Sequence, residues 1–298
     1  HLIPRVLAER AVRAADVAAL LGPVEGHRMA KAALELACLD AELRAGGVPL
    51  ATRLGATRDA VDCGVSVGRF PIDELLDQVD AYVDAGYRRV KLKIAPGDDV
   101  APVRAVRERH PDLALQVDAN AAYTVDDAER LAGLDPFELL LIEQPLAADD
   151  LLGHAELARR IRTPICLDES ITSPRVAELA IRVGACSIVN VKAGRVGGYL
   201  EAVRVHDVCV ERGIPVWCGG MLETGIGRAA NVALAALPGF TLPGDTSASD
   251  RYYARDVVTD PFVLVDGRLA VPHGPGLGIT VDVDYVEELT TATETIRA

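Results

Sequence analysis

Five charged residues recur along this chain at an almost constant interval. Successive members are 25, 25, 25 and 24 residues apart, and they are Lys93, Asp118, Glu143, Asp168 and Lys192. Each lies in or closes a short apolar run, and a turn and a helical pattern follow each run. A barrel of βα units presents functional residues in this way, at the C-terminal ends of its strands. The spacing therefore predicts a (β/α) barrel with these side chains around one rim.

Other apolar runs extend this alternation along most of the chain. Strands are predicted over residues 62–67, 89–94, 113–117, 139–142, 165–167, 188–191, 215–218 and 240–242. Short connections between strands and helices imply a parallel sheet with right-handed crossovers, and eight such strands close a barrel. The fold class is therefore α/β. The barrel domain occupies residues 59–262, after a helical segment over 1–58 and before short β runs in 263–298.

Composition limits the partners and the location of the protein. The formal net charge of −13 argues against a nucleic acid or an anionic membrane as partner. No apolar run approaches the roughly 18 residues of a membrane span. The six cysteines form no Cys-x-x-Cys pair, so we expect a reduced, cytoplasmic protein without a zinc site. The chain begins at His1, and we expect it to start partway into a longer gene product.

Three acidic residues are predicted to bind a metal ion. Asp118, Glu143 and Asp168 end neighbouring parallel strands, so their carboxylates should converge. Three close anions repel strongly unless a cation lies among them. Ligands that are all oxygen suit a hard cation, so we expect Mg²⁺ or Mn²⁺. One such acid alone would be better explained as a helix cap, but three in register favour the metal.

Three lysines are predicted to share the site with these acids. Lys91 and Lys93 are two residues apart on one strand, so both side chains point to the same face. In the barrel mouth, like charge and a nearby dication would lower a lysine pKa and favour a general base. Lys192 should face Lys93 across the metal, so that a proton can move on or off either side of one carbon. The alternatives are an exposed edge strand for the pair and a surface cation for Lys192.

Three neighbouring segments are less constrained. Asn120 either reaches the metal or forms a turn with Ala121. The segment Gly219-Gly220-Met221 either lets a ligand approach the backbone or is only a tight turn. Glu169 directly follows one of the three acids and is expected to point away, in a structural role. No histidine ends a strand, so a histidine base is disfavoured.

A series of motifs joins these residues in one order. They are Lys91-x-Lys93, Asp118-Ala119-Asn120, Ile142-Glu143-Gln144-Pro145, Asp168-Glu169-Ser170 and Lys192. This set resembles the enolase superfamily, muconate-lactonizing subgroup, over about residues 25–280. Within the subgroup, the chain is most similar to the o-succinylbenzoate synthases and the N-acylamino acid (N-succinylamino acid) racemases. The segments that support this are 26–34, 64–68, 219–225 and 274–278.

The resemblance implies a modified TIM (β/α) barrel with a partial N-terminal α+β capping domain. Residues 1–58 would supply the helical part of that domain, and residues 263–298 would return to it. Family members also carry an N-terminal β-sheet and a mobile loop that cover the substrate. The resemblance places Mg²⁺ or Mn²⁺ on the three acids and makes Lys93 and Lys192 the acid/base pair, with Lys91 tuning Lys93.

The implied reaction is abstraction of a proton α to a carboxylate, which gives an enediolate stabilised by the dication. In a synthase, Lys93 would take the proton and return it to the leaving hydroxyl, while Lys192 stays protonated. In a racemase, the two lysines would alternate as base and acid. We expect a small-molecule carboxylate substrate, a homo-oligomer and, for the synthase reaction, a place in menaquinone biosynthesis.

Five further residues are expected to contact the substrate or to support the groups that react. Ser66, Asn120, Gly220 and Met221 are four of them. Arg195 follows Lys192 by three residues, and in racemase-capable relatives an arginine at this spacing looks like a partner of the lysine. A guanidinium near an ammonium disfavours its charge and would make Lys192 a better base. The alternative for Arg195 is a surface position.

Other reactions of the superfamily fit less well. Dipeptide epimerases are expected to carry Asp-x-Asp at the end of the eighth strand, and no such motif occurs near 219–223 or 239–245. Enzymes like mandelate racemase would need a histidine on the seventh strand, which here is Pro215-Val216-Trp217-Cys218. A non-catalytic binding barrel is disfavoured because both lysines are present. Synthase and racemase activity stay open, since the same groups serve both.

Overall fold

A curved parallel sheet forms the centre of the computed structural model, which describes residues 1–9 and 11–296. Within these residues the strands are β1 Ala60–Asp62, β2 Gly64–Val67, β3 Arg89–Lys93, β4 Leu115–Asp118, β5 Ile142–Glu143, β6 Ile165–Leu167, β7 Ile188–Val191, β8 Val216–Cys218 and β9 Arg268–Ala270. Strands β2 to β8 lie side by side in chain order, and each is parallel to its neighbours. Every residue of β6 is buried, as expected for a parallel strand covered on both faces.

The predicted eighth strand is not a regular strand. Residues 240–244 instead make one parallel bridge on each side, Phe240 with Val216 of β8 and Gly244 with Cys63 beside β2. Backbone hydrogen bonds run from Thr241 N to Val216 O at 3.1 Å and from Gly64 N to Gly244 O at 2.7 Å. A full ladder is prevented by Pro243, which has no N–H to donate. This segment still lies between β8 and β2 and closes the barrel.

Helices form the layer outside the sheet. In the described residues they are α1 Leu2–Leu7, α2 Ala14–Leu21, α3 Arg28–Gly46, α4 Leu50–Leu54, α5 Ile72–Asp84, α6 Val100–Arg109, α7 Ala128–Ala132, α8 Leu151–Leu157, α9 Pro174–Val183, α10 Ala193–Val196, α11 Tyr199–Glu211, α12 Gly225–Ala235 and α13 Val283–Leu289. Among them, none is both long and apolar enough to cross a membrane.

Helix α9 illustrates how the sequence sets these elements. The side chain of Ser173 accepts a hydrogen bond at 3.2 Å from a backbone N–H of the first turn, and Pro174 begins the helix. Ala177 and Ala180 are fully buried on the inner face. Gly184 ends the helix in the left-handed conformation that glycine adopts without strain.

Helix α3 is tied to the barrel by a buried carboxylate. Glu35 is 2% exposed and accepts hydrogen bonds from the backbone N–H groups of Tyr199 and Leu200, at the start of α11. Burial raises the pKa of Glu35 to about 7. A Cβ at Gly198 would overlap this carboxylate, so only glycine allows the close approach. The contact fixes α3 beside the loop that follows β7.

The C-terminal segment contacts both the barrel and the N-terminal helices. Strand β9 pairs antiparallel with β1, and Leu277 N donates to Asp40 Oδ1 of α3 at 2.8 Å. The predicted strand over 62–67 is divided at Cys63, because β1 pairs with β9 and β2 with β3. Helix α13 forms in a region for which only short β runs were predicted. The domain boundaries at residues 58 and 262 stay predictions.

Candidate active site

The charged residues predicted from the interval lie together at the C-terminal rim of the barrel. Lys93 and Asp118 are register partners across β3 and β4, and Asp118 and Glu143 are partners across β4 and β5. Asp168 directly follows β6, and Lys192 directly follows β7. Next to them is a cavity of about 340 Å³, hereafter the polar cavity. Its lining includes Lys91, Lys93, Asp118, Asp168 and Lys192, and Glu143 lies beneath it with no exposed surface.

Each of the three lysines is bonded to a carboxylate. Lys93 Nζ donates to Asp118 Oδ2 at 2.6 Å, and Lys192 Nζ donates to Asp168 Oδ2 at 2.7 Å. Lys91 lies deeper, with Nζ 2.9 Å from Glu143 Oε2 and 3.3 Å from Asp118 Oδ2. The two outer lysines therefore approach the cavity from different strands.

The carboxylates determine the charge of Lys91. Burial lowers the pKa of Lys91, but the charges of Asp245, Glu143 and Asp118 outweigh burial and raise it well above its usual value. The sequence analysis predicted a lowered pKa for this lysine pair, and for Lys91 these carboxylates act in the opposite direction. Lys91 is thus held as a cation among three carboxyl groups, and this role differs from that of a base.

Two neighbours, Asp168 and Arg195, act on the pKa of Lys192 in opposite directions. Burial lowers the pKa of Lys192, and the hydrogen-bonded Asp168 raises it above the usual value. Arg195 binds the same carboxylate, with Nε 2.8 Å from Asp168 Oδ1 and Nη2 3.2 Å from Oδ2. The guanidinium lowers the pKa of Lys192, which is the direction expected from the sequence. Arg195 is therefore a cavity residue that acts on Lys192 through charge and a shared partner.

The three acids repel one another, as the sequence predicted. Burial raises the pKa of Glu143 to about 8; Lys91 opposes this increase, while Asp118 and Asp168 add to it. Within the described residues, no three His, Cys, Asp or Glu side chains stand in a metal-binding arrangement, and each of the three carboxylates is paired with a lysine. The donor chemistry nevertheless fits a hard cation, since three crowded carboxylates are all-oxygen ligands whose repulsion a cation would relieve.

The sequence analysis did not assign three residues of the site, which are Asp245, Arg89 and Asn190. Asp245 bonds Lys91 Nζ at 2.7 Å and Arg89 Nη1 at 2.8 Å, and these cations hold the pKa of Asp245 far below its usual range despite burial. Asn190 donates to Glu143 Oε1 at 2.7 Å. Two sequence features could have identified Asp245 and Asn190. Asp245 is the first charged residue after the last apolar run. Asn190 precedes Lys192 by two residues, so the strand period places the side chains of Asn190 and Lys192 on the same face.

The prediction that Glu169 points away from the site is wrong. Glu169 lines the polar cavity, and its Oε1 accepts a hydrogen bond from Asn120 Nδ2 at 3.0 Å. Strand β6 ends at Leu167, so the alternation of faces no longer holds at Glu169. Asn120 has the left-handed φ of 42° that suits the proposed turn, and its Oδ1 accepts a hydrogen bond from Lys93 Nζ at 2.6 Å. Its contact with a metal stays a prediction.

The remaining predicted residues also lie at the polar cavity. Ser66, Gly220 and Met221 all line it, and Ser66 is the register partner of Lys91. The backbone N–H of Met221 donates to both carboxylate oxygens of Glu223, at 2.7 and 2.8 Å. This contact fixes the loop that follows β8 beside the cavity.

Gly220 allows this loop to approach Asp245 closely. A Cβ at Gly220 would overlap the backbone oxygen of Asp245. We expect Gly220→Ala to lower the free energy of unfolding by about 1–3 kcal/mol, measured by guanidinium denaturation. The control is Gly46→Ala at the end of α3, where a Cβ would meet only Val48 at ordinary contact distance. Equal stability of the two variants would contradict the steric argument.

Comparison with known proteins identifies relatives of this chain. Residues 74–286 match the family described as Enolase C-terminal domain-like. An N-succinylamino acid racemase from an Amycolatopsis species is 65% identical over 294 residues, which are 98% of this chain and 80% of that protein. An o-succinylbenzoate synthase from Geobacillus stearothermophilus is 50% identical over 290 residues, covering 97% of this chain and 77% of that protein.

A solved structure gives the same result. A member of the enolase superfamily from Listeria innocua Clip11262 matches with a TM-score of 0.93 and 44% identity, covering 99% of this chain and 80% of that one. The barrel fold and the resemblance drawn from the motifs are both confirmed. The chain belongs to the Enolase C-terminal domain-like family of the enolase superfamily.

Proposed function

We propose that this chain removes the proton α to a carboxylate of a small substrate. Its reactions would be the racemisation of N-succinylamino acids and the dehydration that forms o-succinylbenzoate. One observation carries the proposal. Lys93 and Lys192 reach one cavity from separate strands, and each is bonded to its own carboxylate, at 2.6 and 2.7 Å. The names of the racemase and synthase relatives supply the substrate classes.

The lysines and the acids have separate roles in this proposal. When bound, a divalent ion such as Mg²⁺ or Mn²⁺ on Asp118, Glu143 and Asp168 would stabilise negative charge that develops on the substrate carboxylate. Lys91 is a fixed cation that offsets part of the charge of these acids. Neutral Lys93 would accept the α-proton on one face of the substrate.

The same groups suit both reactions. In racemisation, the ammonium of Lys192 donates a proton to the opposite face of the α-carbon, and the two lysines exchange roles in the reverse direction. In dehydration, Lys93 passes the abstracted proton to the departing hydroxyl, which leaves as water, while Lys192 stays cationic. Only racemisation requires Lys192 to lose its proton in the course of turnover.

Arg195 should therefore matter more for one reaction than for the other. Arg195→Gln removes a charge that lowers the pKa of Lys192, so neutral Lys192 becomes rarer. We expect racemisation to fall about tenfold and dehydration to fall no more than about threefold, because only racemisation requires Lys192 to lose its proton. Both rates are measured on one preparation. An equal loss, or a larger loss in dehydration, contradicts the proposed role.

Dipeptide epimerisation is the alternative with the least support. Its Asp-x-Asp motif would bind a substrate amine at the end of the eighth strand. Here the matching position reads Asp245-Thr246-Ser247, and Asp245 is already paired with Lys91 and Arg89. Within this proposal the protein is a cytoplasmic homo-oligomer, and its synthase reaction belongs to menaquinone biosynthesis.

One screen tests the proposal directly. N-succinylamino acids and the cyclohexadiene precursor of o-succinylbenzoate are incubated with the protein in D₂O. Exchange of the α-hydrogen distinguishes an enzyme from a binding protein, because exchange requires a working base. Product formation from each substrate then assigns the reaction. Absence of exchange and of product with every substrate would falsify the proposed function.

A further inference from the structure

A second, apolar cavity adjoins the polar cavity on the side of helix α3. Its volume is about 240 Å³, and Lys192 and Met221 line both cavities. We propose that this apolar cavity is the subsite for the hydrocarbon side chain of an N-succinylamino acid. The inference rests on the proposed racemase function and specifies where one part of the substrate lies.

One face of helix α3 forms a wall of the apolar cavity. Met29, Ala32, Ala33 and Leu36 line it, and their spacing places them on one side of a helix. The facing wall includes Gly194, where an added Cβ would touch Met29 at 3.4 Å. The absence of side chains at such positions leaves room between α3 and the loop that follows β7.

The two walls are held at a fixed separation. Glu35 of α3 accepts backbone hydrogen bonds from Tyr199 and Leu200 just after that loop. The hydroxyl of Tyr199 donates to Asn231 Oδ1 at 2.8 Å, and Asn231 Nδ2 donates to Glu223 Oε1 at 3.0 Å. The cavity is therefore a built space, and its width depends on the residues of α3.

Charge determines which part of the substrate suits this cavity. Among the described residues that line it, Lys192 is the one cation, and its Nζ is already bonded to Asp168 at 2.7 Å. Glu223 also lines the cavity and carries negative charge. A succinyl carboxylate placed here would face an anion without a free cation, which is costly. A hydrocarbon group is not repelled by an anion and needs no cation, and its transfer from water into the cavity is favourable.

Two methionines at the mouth support a hydrocarbon occupant. Met29 is 58% exposed and Met221 is 49% exposed. An apolar group that lies against these exposed side chains would remove their apolar surface from water, which is favourable. Methionine is flexible and adapts to differently shaped partners. The subsite should therefore accept several apolar side chains, limited by their size.

Narrowing the cavity provides the first test. Ala33→Leu adds three carbons to the α3 wall at an exposed helix position, where leucine is nearly as favourable as alanine. We expect the kcat/KM ratio for N-succinyl-leucine over N-succinyl-alanine to fall about tenfold. The matched control is Ala37→Leu, one turn further along α3, exposed and outside the cavity. The control should leave the ratio unchanged.

Widening the cavity provides a second test in the opposite direction. Met29→Ala removes an exposed side chain and leaves the core intact. We expect the kcat/KM ratio for N-succinyl-phenylalanine over N-succinyl-leucine to rise about fivefold. This variant also keeps the proposal testable if Ala33→Leu does not fold, as judged by circular dichroism.

The outcomes separate this inference from the proposed function. Wild-type protein without α-hydrogen exchange on any N-succinylamino acid overturns the proposed racemase function and the subsite together. Active variants with unchanged side-chain ratios overturn the subsite alone. The same variants are assayed with N-acetyl and N-succinyl derivatives of leucine. If the ratios follow the acyl group and not the side chain, the assignment of the cavity is overturned.

Discussion

Replacing Lys93 or Lys192 by alanine should lower racemisation of an N-succinylamino acid by about 10²–10⁴-fold in each case. Racemisation needs a base on one face of the α-carbon and an acid on the other, and each variant lacks one of them. Each variant should still exchange the α-proton of the one enantiomer whose proton faces the remaining lysine. Polarimetry measures racemisation, and NMR in D₂O measures exchange for each enantiomer separately.

The chain offers a matched control for this pair. The sequence has four lysines, and Lys31 is the one outside the site; its ammonium donates to the backbone oxygen of Val24. Lys31→Ala should racemise and exchange at wild-type rates. Normal racemisation by Lys93→Ala or Lys192→Ala would show that the two-base assignment is wrong. Loss of exchange with both enantiomers in one variant would show that the lysines do not act on separate faces.

Removal of divalent metal should reduce activity at least about 10³-fold, and Mg²⁺ or Mn²⁺ should restore it. The physical reason is the crowding of Asp118, Glu143 and Asp168: burial raises the pKa of Glu143 to about 8, and the charges of Asp118 and Asp168 add to this increase. A readout independent of activity is thermal unfolding, because an ion that binds only the folded state raises the Tm. We therefore expect Mg²⁺ to raise the Tm of metal-free protein.

Single substitutions test whether the acidic residues cause the Mg²⁺-dependent increase in Tm and the recovery of activity. Asp118→Asn and Asp168→Asn each remove one anionic ligand and should reduce both the Tm increase and the recovered activity. Glu211→Gln, at the end of α11, removes an exposed carboxylate of the same charge and should alter neither. Full activity after chelation contradicts the metal assignment. So does a Tm increase that is the same in all variants.

The barrel was predictable from the sequence because its signals are local and repeated. A strand covered on both faces must be apolar, and the next helix must place small or apolar residues inward, as Ala177 and Ala180 do in α9. The site was predictable for a related reason. Parallel strands in register bring residues at equal intervals to the same rim, so Lys93, Asp118 and Glu143 are neighbours across β3, β4 and β5.

The errors occurred where this periodicity ends. Glu169 lies beyond β6, so strand alternation gave the wrong face for its side chain. The last apolar run was predicted as a strand, but Pro243 prevents a continuous ladder. Asp245 was missed because it lies in the loop after that run, and its importance comes from Lys91 and Arg89, which are far away in sequence.

The sequence alone determined the barrel, its functional rim and the residue types available for proton transfer. Two of its four lysines, Lys93 and Lys192, and three of its acids occupy equivalent positions in successive βα units, and such positions meet in any closed parallel barrel. The tertiary structure decided which partners these charges have. It holds Lys91 as a cation among Glu143, Asp118 and Asp245, and it places α3 beside Lys192 to form an apolar cavity. The pKa values and the shapes of cavities depend on distances between remote segments, and local patterns do not encode those distances.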